Sequence, residues 1–246
     1  MPKISPSPLG RLLEEISWEG NARHYRQGGR GFENVLTVEV FQALDLLPRT
    51  QFLGRIVESL VGAPEAVKRL ASEVEQLTFS LLPGDIFLAE TACGGSQLCV
   101  QPDGVVESPS VYCLLEAKRV KRGAFQPEQL AREYLAVLQE AGQRCPLLML
   151  ILPGPPPVAV SRHGRLDLHD AVARWLEPVL LRCEHEFPAA EELLRNVTSV
   201  IAYTTWPAVA QSIKSGLQAF SCSDPSVEAS VRRLANSVLR AINWHS

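Results

Sequence analysis

Six consecutive apolar residues, Leu147 to Leu152, leave this chain no polar face to turn toward water at that point. Such a run suits a buried strand, and a strand buried on both faces belongs to a sheet with helices on both sides. The preceding residues predict the covering elements. Phe32, Val35, Leu36, Phe41, Leu44 and Leu47 recur at helical spacing, and Pro48 ends the segment, so a first helix is expected over 32–47. A helical pair is expected over Phe52 to Val61 and Pro64 to Leu77, the second opening on proline where a first turn tolerates it.

After residue 77 the period changes. Ile86 to Ala89, Gln97 to Gln101 (continuing to Val106) and Val111 to Leu115 are short runs of Val, Ile, Leu, Phe and Cys, divided by Gly94-Gly95 and Ser108-Pro109-Ser110. They predict a three-stranded meander. Pro127 to Ala141 is helical, with Leu130, Tyr134, Leu135 and Leu138 on one face, and leads into the 147–152 strand. The expected core order is α-β-β-β-α-β. Gly154 to Pro157 reads as a stiff surface loop, because consecutive prolines cannot pair in a sheet. Beyond it, helices are expected over Leu168 to Leu181, Pro188 to Arg195, Ala208 to Phe220 and Pro225 to Ile242, with a strand at Val197 to Tyr203. The segment after residue 158 is expected to pack on the core as a mostly helical extension.

At 246 residues, 46% of them hydrophobic, the chain can bury one sizeable core and is short for two domains. The expectation is one domain over 1–246, with its core at about 31–152, an N-terminal arm at 1–30 and the C-terminal extension at 158–246. No run of eighteen apolar residues occurs, and Met1-Pro2-Lys3-Ile4-Ser5-Pro6 lacks the apolar stretch of a secretory signal, so a cytoplasmic protein without membrane contact is expected. The six cysteines include no C-x-x-C pair and read as reduced structural thiols.

A net charge of -3 gives no general attraction for polyanions, so any hold on nucleic acid must come from local clusters. Two are visible. Arg23, Arg26 and Arg30 lie among glycines, and Lys118, Arg119, Lys121 and Arg122 follow the third strand.

The stretch that carries chemistry is Pro102-Asp103-Gly104, followed by Val111 to Leu115 and then Glu116-Ala117-Lys118. On a strand, residues two apart share a face, so Glu116 and Lys118 project together and Ala117 points away. Asp103 lies 13 positions before Glu116, a distance that lets the second strand set its carboxylate opposite the first. Two hard oxygen ligands would then converge, as Mg²⁺ or Mn²⁺ requires. An acidic residue two before a lysine is common by chance. The weight lies in the combination with Pro-Asp upstream, the apolar strand before Glu116 and a following helix that carries Gln129.

In these residues the chain resembles the PD-(D/E)xK phosphodiesterase superfamily, whose motif letters are met by Pro102-Asp103 and Glu116-Ala117-Lys118. The resemblance covers roughly residues 31 to 152. It implies a restriction-endonuclease-like αβββαβ core, an α/β fold with a mixed central sheet flanked by helices. It also implies a metal-dependent nuclease in which Asp103, Glu116 and the Ala117 carbonyl bind Mg²⁺ or Mn²⁺ while Lys118 orients or activates the attacking water. Glu33 matches the glutamate that many members carry on the first core helix, with Glu39 as the alternative; Gln129 matches a glutamine on the helix after E-x-K, in preference to Gln126, which precedes Pro127.

Hydrolysis of a phosphodiester is the implied reaction, on DNA in preference to RNA, with Arg26, Arg30, Arg119, Lys121 and Arg122 on backbone phosphates. A homodimer or protein partner is left open. Asp85, after Pro83-Gly84, is a looser substitute for Asp103. His163, Asp167, His169 and Asp170 lie close in sequence, but Asp167 reads better as a helix cap than as a metal ligand. The rival functions are a non-catalytic nucleic-acid-binding or assembly protein on the same fold, and a defence-system nuclease subunit held inactive until a partner arrives.

Overall fold

The computed structural model describes residues 32–89, 98–121 and 123–246, with the side chains of Phe32 and Glu33 also outside the described part. The chain folds as α/β: a mixed six-stranded sheet flanked by helices on both faces. Helices α1 (Phe32–Leu46), α2 (Leu53–Glu58) and α3 (Pro64–Ser72) come first, with strand β1 (Val61–Gly62) between the second and third. Then follow β2 (Thr78–Leu81), β3 (Ile86–Ala89), β4 (Leu98–Val100), β5 (Gly104–Glu107), β6 (Val111–Ala117), α4 (Gln129–Ala141) and β7 (Cys145–Leu152). The remainder is β8 (Val158–Val160), β9 (Gly164–Leu166), α5 (Leu168–Leu180), α6 (Ala190–Val200), β10 (Ile201–Thr205), α7 (Trp206–Ala219) and α8 (Pro225–Trp244).

The sheet order is β1-β10-β7-β6-β5-β2, with β6, β7 and β10 parallel and the outer neighbours antiparallel. Its central strands separate two cores by simple alternation. Val111, Cys113, Leu115 and Ala117 of β6 and Leu147, Met149 and Ile151 of β7 join the core under α1, α2, α3, α7 and α8. Tyr112 and Leu114 of β6 and Leu148, Leu150 and Leu152 of β7 join the core under α4, α5 and α6. The continuous apolar run is thus buried because both of its faces are covered, as period-two geometry requires.

The three expected meander strands are distributed differently. β3 and β4 form a separate hairpin, and the antiparallel meander of the main sheet is β2, β5 and β6. The 97–106 run breaks at Pro102, whose nitrogen has no hydrogen to give a ladder. Thr78–Leu81 carries no helical period and is too short to declare a strand period, so only its pairing with Gly104–Glu107 makes it one.

The helix expected over Pro64 to Leu77 stops at Ser72 and a 3-10 turn covers Val74–Gln76, while Val61, expected in a helix, pairs with Tyr203 at the sheet edge. Val197 to Val200 is helical although Val197, Thr198 and Val200 are β-branched, because Leu193, Val197 and Val200 form the buried stripe of α6. The chain beyond 158 does more than pack against the core. It inserts β10 into the main sheet beside β7, and it adds the unexpected β8–β9 hairpin. Among the described residues no helix is long and apolar enough to cross a membrane.

Candidate active site

β5 and β6 pair with Gly104 opposite Leu115 and Val105 opposite Leu114. One step beyond the end of that ladder, the same register sets Asp103 opposite Glu116. Directly opposed residues on antiparallel strands hold their Cβ atoms about 4.5–5.5 Å apart. Glu116 follows Tyr112 and Leu114 on the α4 face, and Lys118 continues the same side. Asp103, Glu116 and Lys118 are all buried, and together with Asn34, Leu82, Gln101 and Pro102 they line a cavity of about 190 Å³.

Each of these side chains is held. The Ala117 amide donates to Asp103 Oδ2 at 2.8 Å, so the strand that carries Glu116 also orients the facing aspartate. Lys118 Nζ donates to Glu116 Oε1 at 2.5 Å and sits 4.8 Å from the centre of the Phe125 ring. The Lys118 backbone is clamped on both sides: its amide donates to Ile151 O at 2.8 Å, and the Trp206 indole donates to its carbonyl at 2.6 Å.

Gln129, the first residue of α4, donates through Nε2 to Glu116 Oε1 at 2.6 Å and to Glu133 Oε1 at 2.7 Å. Its own Oε1 accepts the Gln126 amide. Glu128 before it adopts φ 66°, a left-handed conformation costly for a glutamate, and Arg182 holds its carboxylate at 2.7 Å. That turn delivers Gln129 to Glu116.

Glu133 was not expected. It lies one helical turn after Gln129 and is buried, and its Oε2 has no hydrogen-bond partner among the described residues. Burial first, and then the negative charge of Glu116, push its carboxyl well above the usual carboxylate range, against the smaller opposing effect of Lys118. The i, i+4 spacing from Gln129 was the available signal; nothing in the sequence pointed to Trp206.

The donor set fits a hard divalent cation. Asp103 and Glu116 line the cavity with one lysine, two carboxylates against one ammonium, which leaves negative charge in excess. Among the described residues no three His, Cys, Asp or Glu side chains are placed to hold a metal ion together. Mg²⁺ needs none, since one or two carboxylates with retained waters commonly hold it.

The other expected residues divide. Asp85 is exposed and outside the cavity lining, so Asp103 holds the position opposite Glu116. Glu39 is exposed and its carboxylate lies 3.6 Å from His245 Nε2, away from this cavity. The Glu33 side chain lies outside the described residues, although the next residue, Asn34, lines the cavity. Arg26, Arg30 and Arg122 also lie outside them. Arg119 and Lys121 occupy the turn after β6, Lys121 exposed. Asp167 takes the N-cap position of α5 but makes no side-chain capping bond, which corrects its expected role. His163 packs on Trp175 and His169 contacts Asp170, so that group does not converge. No family model, curated protein or solved structure matches the chain.

Proposed function

We propose that the protein is a metal-dependent nuclease that hydrolyses nucleic-acid phosphodiester bonds on a restriction-endonuclease-like core. The observation that carries this reading is that Asp103, just before β5, and Glu116 of β6 line one cavity, with Lys118 bonded to Glu116 there and the Ala117 amide bonded to Asp103. The succession α1, β2, β5, β6, α4, β7 is compatible with the αβββαβ order of that core.

Asp103 and Glu116 would hold Mg²⁺ or Mn²⁺, with the Ala117 carbonyl as a further ligand. When bound, the ion supplies Lewis acidity toward the phosphoryl oxygens and lowers the pKa of a coordinated water. The protein's own groups do the rest. The Ala117 amide fixes the Asp103 carboxylate, Gln129 fixes Glu116, and Lys118 presents an ammonium where negative charge grows as the phosphodiester is attacked.

The test is incubation of the purified protein with single- and double-stranded DNA and RNA in Mg²⁺, Mn²⁺ or chelator. Cleavage is expected only with metal, and Asp103→Asn should lower it about 10²-fold or more while the fold and nucleic-acid binding persist. Cleavage that survives both chelator and Asp103→Asn would refute the mechanism. Binding without cleavage on every substrate would favour a non-catalytic binding protein or a subunit awaiting its partner.

A further inference from the structure

Lys118 lines a second cavity as well as the first. This one measures about 510 Å³, within the range of about 300–1,000 Å³ typical of small-molecule sites. Its walls are apolar and stiff: the Phe125 ring, Leu152, Pro153, Pro157 and Val158. Its charged lining consists of Lys118, Lys121 and Arg165, with no acidic residue. Among the described residues neither Lys121 nor Arg165 is held in an ion pair. The cavity exists because the β8–β9 hairpin folds back over the end of β7, where Ala159 and Arg165 pair across the hairpin and both reach the lining. Phe125 is tied to the same hairpin, its amide donating to Ala159 O at 2.9 Å.

Flat apolar walls with a cationic rim match a nucleotide, which has an apolar-faced base and an anionic phosphate. Between this cavity and the carboxylates stands Lys118, the buried lysine shared by both cavities. We propose that this second cavity receives one unpaired base of the substrate strand and so places the adjoining phosphate at Asp103, Glu116 and Lys118. The proposal rests on the nuclease reading and adds a substrate class to it. A base inside a duplex is stacked and paired, so entry to a walled pocket requires a single strand, a frayed end or a base turned out of the helix. The protein therefore selects unpaired strands. DNA and RNA share the chemistry that the pocket recognises, and the assay separates them.

The experiment measures fluorescence anisotropy of labelled single-stranded DNA, single-stranded RNA and blunt duplex of about 12 nucleotides, with chelator present so that nothing is cut. Parallel reactions with Mg²⁺ or Mn²⁺ score cleavage. A single strand of DNA or RNA should bind about tenfold tighter than duplex, the size of one base-stacking contact. Two variants should remove that preference. Gly154→Phe adds a ring at a lining residue whose Cβ would meet open space, and Arg165→Ala removes an exposed rim cation. Each should weaken single-strand binding about tenfold and leave duplex binding unchanged. Arg165→Ala keeps the test decisive if the bulkier variant does not fold.

Equal binding of single strand and duplex, or folded variants that keep the preference, overturns the pocket assignment. If metal-dependent cleavage is still present, the nuclease reading stands without it. Absence of cleavage by the unaltered protein with every substrate and metal overturns the reading of a nuclease active on its own, on which the proposal rests.

Discussion

Glu116 and Lys118 are legible as a pair because strand periodicity is local: two residues apart means one face, whatever the rest of the molecule does. Glu133 is not, since a glutamate on an amphipathic helix ordinarily faces water, and only the packing of α4 against β6 decides that this one does not. Its environment predicts a pH signature. Burial and the facing Glu116 and Asp103 raise its carboxyl above the ordinary value of 4.5, with Lys118 and Gln129 opposing them. In the folded protein it therefore binds its proton more tightly than in the unfolded chain. Its contribution to stability is complete below pH 4.5 and declines as the pH rises toward the folded value. Glu133→Gln, which cannot ionise, should be more stable than the unaltered protein at pH 8 in chelator, and the difference should vanish near pH 4. Thermal melts across that range check it; a variant that is less stable at pH 8 would show that the carboxylate is satisfied.

At the scale of elements, long periodic segments were readable and short ones were not. The helices at 32–46, 129–141, 168–180, 206–219 and 225–244 lie within a few residues of expectation, because many apolar positions vote on one stripe. Four-residue β2 and three-residue β8 and β9 have too few positions to declare a period; β2 exists by pairing with the distant β5, and β8 and β9 by pairing with each other in a hairpin. The β5–β6 turn depends on a distant tie. Glu73 at the end of α3 accepts from the Ser110 hydroxyl at 2.7 Å and from the Ser110 amide at 3.1 Å. Hydrogen bonding by Ser108 and then Ser110 holds its carboxyl below the usual range. That support is present above pH 4.5 and is lost as the pH falls through the lower folded value. Glu73→Gln should cost about 1 kcal/mol at pH 7, modest because the site is partly exposed. Urea midpoints should show the gap between variant and unaltered protein closing in acid; a constant gap would remove the charge from the account.

Across the whole molecule, the carboxyl-terminal third completes the site that the middle of the chain begins. Trp206 donates its indole hydrogen to the carbonyl of Lys118, 88 positions earlier in the chain, and is itself buried at the start of α7. Trp206→Phe keeps most of the apolar volume and removes the indole hydrogen bond to that carbonyl. A loss of about 1–3 kcal/mol in stability is expected, with turnover falling several-fold and substrate binding little changed, because Lys118 is released from one side. Steady-state kinetics beside denaturant unfolding check it, and an unchanged turnover would detach Trp206 from the site. The amino-acid sequence by itself determined which segments bury both faces, which bury one, and that a carboxylate and a lysine share the end of β6. Each of those follows from residue spacing along a single element. Tertiary structure alone decided that β2 rather than β3 borders β5, that β10 enters the sheet, that Glu133 is buried beside Glu116 and that a second cavity opens at Lys118. Those depend on contacts between residues far apart in the chain, whose pairing no local period encodes.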